Sequence, residues 1–246
     1  MLGVGVFLAA LGWTLRDDLS GTETGTGEAN AERRPVDRFA NGFVPVVLAY
    51  LAFGSYGTLA LGTGAPAVLG AYPPRASHLL GAGTAALLVF AVGFRLLPRF
   101  LVARPLRVLV AVVLPSGALA PLLLAWALVV RGPPFRAGAA LEAVAVVGFA
   151  MAFLALFVRS DRRRVGFYGV LAGVLAGVLA VAAGLAPAFG PLDGSLIAAH
   201  LRLNLLGFLG LTVVGGSSQF YPPAVGTFPG AGDRTRSSPS GRSPAD

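Results

Sequence analysis

Residues 165–187 read VGFYGVLAGVLAGVLAVAAGLAP, a stretch with no charged residue and with glycine at positions 169, 173 and 177. A helix rises 1.5 Å per residue, so a run of this length crosses the roughly 30 Å hydrocarbon core of a bilayer. Spacing by four puts Gly169, Gly173 and Gly177 on one helix face, where small residues let two backbones approach closely. The pattern predicts tight packing on that face, either within a bundle or against a second copy in a homo-oligomer.

Working outward, similar runs occupy residues 40–63, 78–97, 108–130, 137–158 and 196–220, the second of them ended by Pro98 and Arg99. Six spans are therefore expected. Met1 to Leu15 is apolar but short, lacks a positively charged start and runs into Arg16, Asp17 and Asp18. It reads as a short seventh span rather than a signal peptide. Asp17 to Asp37, with its Gly, Thr and Glu, and Pro223 to Asp246, with its Ser, Pro, Gly and Arg, hold too little apolar surface to offset the entropy of ordering. The expected layout is an N-terminal transmembrane segment over 1–15, a flexible cytoplasmic loop over 16–39, a helix bundle over 40–222 and a disordered cytoplasmic tail over 223–246. The fold class is all-α: a polytopic transmembrane bundle whose main partner is the lipid bilayer.

Composition agrees. Of 246 residues, 55% are hydrophobic and only 12% charged, where a soluble domain carries about 25% charged residues. Mean hydropathy is +0.76. These values exclude a soluble globular enzyme. The net charge of +8 comes from nineteen basic residues, all Arg, scattered between apolar runs. Such scatter is a topology signal and not a nucleic-acid patch, so no nucleic-acid partner is expected. Fifteen Arg fall on one side of the expected bundle, and Arg75, Arg131, Arg136 and Arg202 fall on the other. The positive-inside rule then puts the C-terminus in the cytoplasm of a multi-pass protein of the cell membrane. There is no cysteine, which removes disulfides, iron–sulfur clusters and covalent haem attachment.

Chemistry must come from few residues. Glu142 is the single acid inside a span, and its bland reading is a pair with Arg136 near the interface. His78 opens the second secure span and His200 lies near the start of the sixth, both at the Arg-poor end. Each is followed fifteen residues on by a glycine, Gly93 and Gly215. Asn204, Gly207, Gly215 and Ser218 share a face with His200, as Gly81, Ala82, Ala85 and Gly93 do with His78. A haem between two helices needs an imidazole from each side, small neighbours for close approach and a cationic edge for its propionates, which Arg202 and its three companions offer. The bland alternative is amphipathic histidines at helix ends above small-residue packing stripes.

The stretch from His200 through Asn204, Gly207 and Gly215 to Gln219-Phe220-Tyr221-Pro222 resembles a pattern in membrane proteins related to haem-copper oxidase subunit I and to the NnrS-like family. The stretch His78-Leu-Leu-Gly81 to Gly93-Phe-Arg-Leu-Leu-Pro98-Arg99-Phe100 resembles another helix of that kind. The resemblance covers about two helices. It implies one low-spin haem b held by His78 and His200, with a respiratory or redox partner subunit, serving electron transfer or nitric oxide related respiration. Oxidases of that pattern use six histidines and this chain has two, so no copper site and no oxygen-reducing centre are expected in this chain alone. A different class stays open: a cofactor-free structural or assembly subunit, or a small transporter using Glu142 and the in-span Pro45, Pro115 and Pro121.

Overall fold

The computed structural model describes residues 2–20, 26, 28–67, 69–70, 72–162, 164–191 and 193–224. Six helices are long and apolar enough to cross a membrane: Ala31–Thr63, Pro73–Leu101, Arg107–Val130, Gly132–Arg159, Val165–Phe189 and Gly194–Gln219. They are called here the first to sixth spans. No strand occurs among the described residues, and the protein is an all-α polytopic bundle, as its composition requires.

Local sequence sets the turns between spans. Gly64 ends the first span in the left-handed region (φ 71°), a conformation that costs glycine nothing. The third and fourth spans are joined by Arg131 and Gly132, both at positive φ, after which Pro133 and Pro134 occupy the first helical turn, where no N–H partner is required.

The N-terminal region differs in part from expectation. A helix covers Leu2–Ser20, and its apolar stretch is Gly3–Thr14, shorter than the six spans. Residues 28–39, expected within a flexible loop, form a 3-10 turn (Glu28–Arg33) and a helix (Arg34–Asn41). They are held to the Arg-rich end of the second span. Asp37 is 1% exposed and its carboxylate accepts from Arg99 Nη2 at 2.6 Å. The Thr26 hydroxyl donates to the same carboxylate. Composition gave no sign of this because the partner lies 62 residues away in the chain. Residues 21–25, 27 and the tail over 225–246 lie outside the described residues, so the expectations for them stand as they were.

The core is aromatic and central. Phe90 and Phe94 of the second span, Phe149 of the fourth and Phe208 of the sixth pack with centroid distances of 5.0 Å (Phe90–Phe149), 5.5 Å (Phe94–Phe149) and 6.0 Å (Phe90–Phe208). Edge-to-face and tilted contacts of this kind add to simple burial. They join three spans that are not adjacent in sequence. On the fifth span the glycine face is filled from within the chain: a Cβ at Gly177 would meet Phe208 at 2.9 Å, one at Gly173 the Thr212 nitrogen at 2.9 Å, and one at Gly169 the Gly215 Cα at 3.3 Å. The stripe that allowed either a bundle contact or a homo-oligomer seam is thus a seam with the sixth span, and a second copy has no room there.

Candidate functional site

The aromatic core places the second and sixth spans side by side, and the two histidines meet above it. The His78 and His200 rings lie with centroids 6.4 Å apart and planes inclined by 19°. Each ring is oriented through Nδ1: His78 Nδ1–H donates to the Pro74 carbonyl at 2.8 Å, and His200 Nδ1–H donates to the Ala180 carbonyl of the fifth span at 2.8 Å. A carbonyl only accepts, so Nδ1 carries the proton in both rings and the Nε2 lone pair is left for another partner. Asn204, one turn below His200, gives its amide N–H to the His200 carbonyl at 3.0 Å and lies 3.4 Å from Nε2.

Backbone irregularity begins at both imidazoles. Residues Leu79–Ala86 and Leu203–Leu211 form π-helical stretches, directly after His78 and three residues after His200. In the first, Thr84 Oγ1 donates to the Leu79 carbonyl five residues back at 3.0 Å. Wide turns of this sort collect at functional sites because they re-aim side chains out of α register. Periodicity at 3.6 residues has no means of revealing them.

Other expected site residues lie elsewhere. A Cβ at Gly93 would meet the Phe149 ring at 2.8 Å, and one at Gly215 the Gly166 carbonyl at 2.6 Å. Both glycines serve helix packing below the pair, because fifteen residues of helix carry them roughly 22 Å from their histidines. Arg202 is exposed, and residues two apart point to different sides of a helix, so it does not flank His200. Arg136 sits over the Phe189 ring, 5.9 Å from its centroid, and does not pair with Glu142, whose Oε2 is buried without a hydrogen-bond partner.

The sequence reading missed three contributors. Pro74 and Ala180 supply the carbonyls that orient the rings. Gly184 makes room for the second ring, since a Cβ there would lie 2.6 Å from His200 Nδ1. No protein-family model, characterised protein or solved structure matches the chain. Function is therefore read from this geometry. Among the described residues no group of three or more His, Cys, Asp or Glu gathers as a metal site, and the histidine pair is the one place where two strong ligand types face each other across spans.

Proposed function

We propose that the protein is a haem-b membrane protein in which His78 and His200 would hold the haem iron. The neighbouring imidazoles carry the reading, each with Nδ1 tied to a carbonyl and with the Asn204 amide 3.4 Å from Nε2 of His200. Two protein ligands are too few for a zinc or copper site, but they suffice where a macrocycle brings the other four. Gly81, one turn below His78, faces open space, with nothing within 4 Å of a Cβ placed there.

Bound haem supplies a one-electron carrier. The chain's own residues do the rest. His78 and His200 offer Nε2 as ligand atoms, and the Pro74 and Ala180 carbonyls fix tautomer and ring orientation, raising ligand basicity. Gly184 leaves the space in which the second ring sits, and the apolar spans around the pair exclude water, which tunes the potential. With both histidines holding the group, it would supply electron transfer rather than substrate binding. The resemblance of the two helices supports a role in respiration or nitric oxide metabolism beside a redox partner subunit. We also place the C-terminus in the cytoplasm and the histidines at the outer end of a cell-membrane protein, on the distribution of arginines.

The visible absorption spectrum of the purified full-length protein, expressed with ample haem, tests the proposal. The expected result is the sharp α-band of a six-coordinate low-spin centre, lost in His78→Ala and in His200→Ala. A colourless protein, or a spectrum unchanged in both variants, overturns it.

A further inference from the structure

Three residues before His78, a small cavity opens at the Arg-poor end of the bundle between the first span, the connection that follows it and the start of the second span. Its walls include Phe53, Tyr56, Leu69, Tyr72 and Leu79, and its single charged residue is Arg75. The Nε of Arg75 is buried without a hydrogen-bond partner. The other end of the guanidinium runs beneath the turn at Gly70, where a Cβ would lie 2.9 Å from Nη1. No carboxylate lines the cavity.

Arg75 is half-buried with no carboxylate beside it, and a bound anion would engage it through charge-assisted hydrogen bonds. The rim indicates which anion. Tyr56 is 39% and Tyr72 38% exposed, aromatic rings of the type that gather near lipid headgroups, while Phe53, 53% exposed, lies deeper along the first span. The Tyr56 hydroxyl is already engaged by the Pro66 carbonyl at 2.6 Å, leaving its ring as apolar wall. A soluble ion would satisfy Arg75 and leave this rim bare, whereas an amphiphile with an anionic head covers both.

We propose that Arg75 and the cavity beside it hold the phosphate of an anionic phospholipid, with the acyl chains lying along the lipid-facing side of the first span. The site goes beyond the haem reading and does not rest on it. An unpaired arginine between transmembrane helices is the usual chemistry for headgroup capture.

Native mass spectrometry of the full-length protein, delipidated in detergent and titrated with dioleoylphosphatidylglycerol or dioleoylphosphatidylcholine, tests it. One phosphatidylglycerol should be retained in preference to phosphatidylcholine. Arg75→Gln should lower that preference about fivefold, the weight of one basic residue at an anionic headgroup. Arg75→Lys should retain part of it, and Arg136→Gln should leave it unchanged, which separates loss of the site from loss of the fold. Inorganic phosphate at millimolar concentration should not compete. Full competition by phosphate would show that the site takes a soluble anion and overturn the lipid assignment. Equal phosphatidylglycerol binding by wild type and Arg75→Gln overturns the proposal. So does a variant that loses haem with lipid binding unchanged, because Arg75 would then serve the cofactor's carboxylates.

Discussion

Gly184 shows how a single missing methyl positions a functional ring. Adding a Cβ there places a carbon 2.6 Å from His200 Nδ1, so Gly184→Ala must displace the imidazole or break its bond to the Ala180 carbonyl. Disturbing a partner that orients a ligand lowers metal affinity about 10- to 100-fold. Haem content and α-band intensity of Gly184→Ala should fall accordingly, while Gly62→Ala, on the first span and with a new methyl that meets nothing, should hold haem as the wild type does. A rise or no change in haem occupancy for Gly184→Ala would show that His200 is not held as described. Glu142 poses the opposite case. Its buried Oε2 lacks a partner, and an unsatisfied buried polar group costs about 1–3 kcal/mol. Glu142→Leu should therefore stabilise the bundle against denaturant by about 1 kcal/mol if the carboxyl has no further role. Destabilisation in that assay would mean that the carboxyl has a partner supplied from outside the chain.

At the scale of the element, the seam between the fifth and sixth spans is the most demanding contact. Gly173→Leu drives a side chain into Thr212 and should cost about 1–3 kcal/mol, the usual penalty of overpacking. Leu175→Ala, at a position 55% exposed, should change stability by no more than about 0.5 kcal/mol. Unfolding in mixed detergent micelles ranks the two, and a larger effect at Leu175 would turn the glycine face toward lipid. The sixth span begins with a cap: the Ser195 hydroxyl and backbone N–H both donate to Asp193 Oδ1, at 2.6 and 2.8 Å. The Ser195 side-chain bond, followed by the backbone bond, holds the Asp193 carboxyl below its ordinary value. A depressed folded pKa stabilises above the unfolded value and is lost as pH falls through the folded one. Amide protection factors at Ser195 to Ile197 should thus fall only below about pH 4, and Asp193→Ala should lower them at neutral pH. The spans themselves were legible because length and apolarity are local properties, as 165–187 against the observed Val165–Phe189 illustrates. Positions within the site were legible only where they coincided with the ligands themselves. His78 and His200 stood out as the only two histidines, but Gly93 and Gly215 were chosen by an ideal helical period that two π-helical stretches interrupt, and Arg202 by its place at the Arg-poor end. Ala180 and Gly184 carry no mark in sequence, since their role exists only once the fifth span lies beside the sixth.

For the whole molecule, the distribution of arginines sets an orientation that a reporter can read. A reporter that works only in the cytoplasm should be active after Asp246, and one that works only outside should be active after Pro74. The same reporter type active at both sites would separate the histidines from the outer face. The two imidazoles also belong to the second and the last of six spans, with roughly 120 residues between them, an interval of several seconds at ordinary rates of synthesis. Until the sixth span is inserted, His78 has no opposing ring, Phe90 has no Phe208, and the glycine face of the fifth span stands uncovered. Nascent chains halted before residue 194 therefore offer one ligand at most. If the pair holds haem as proposed, loading of the cofactor would be a late event in biogenesis, and the pigment, once formed, would report that the second, fifth and sixth spans have been threaded and packed.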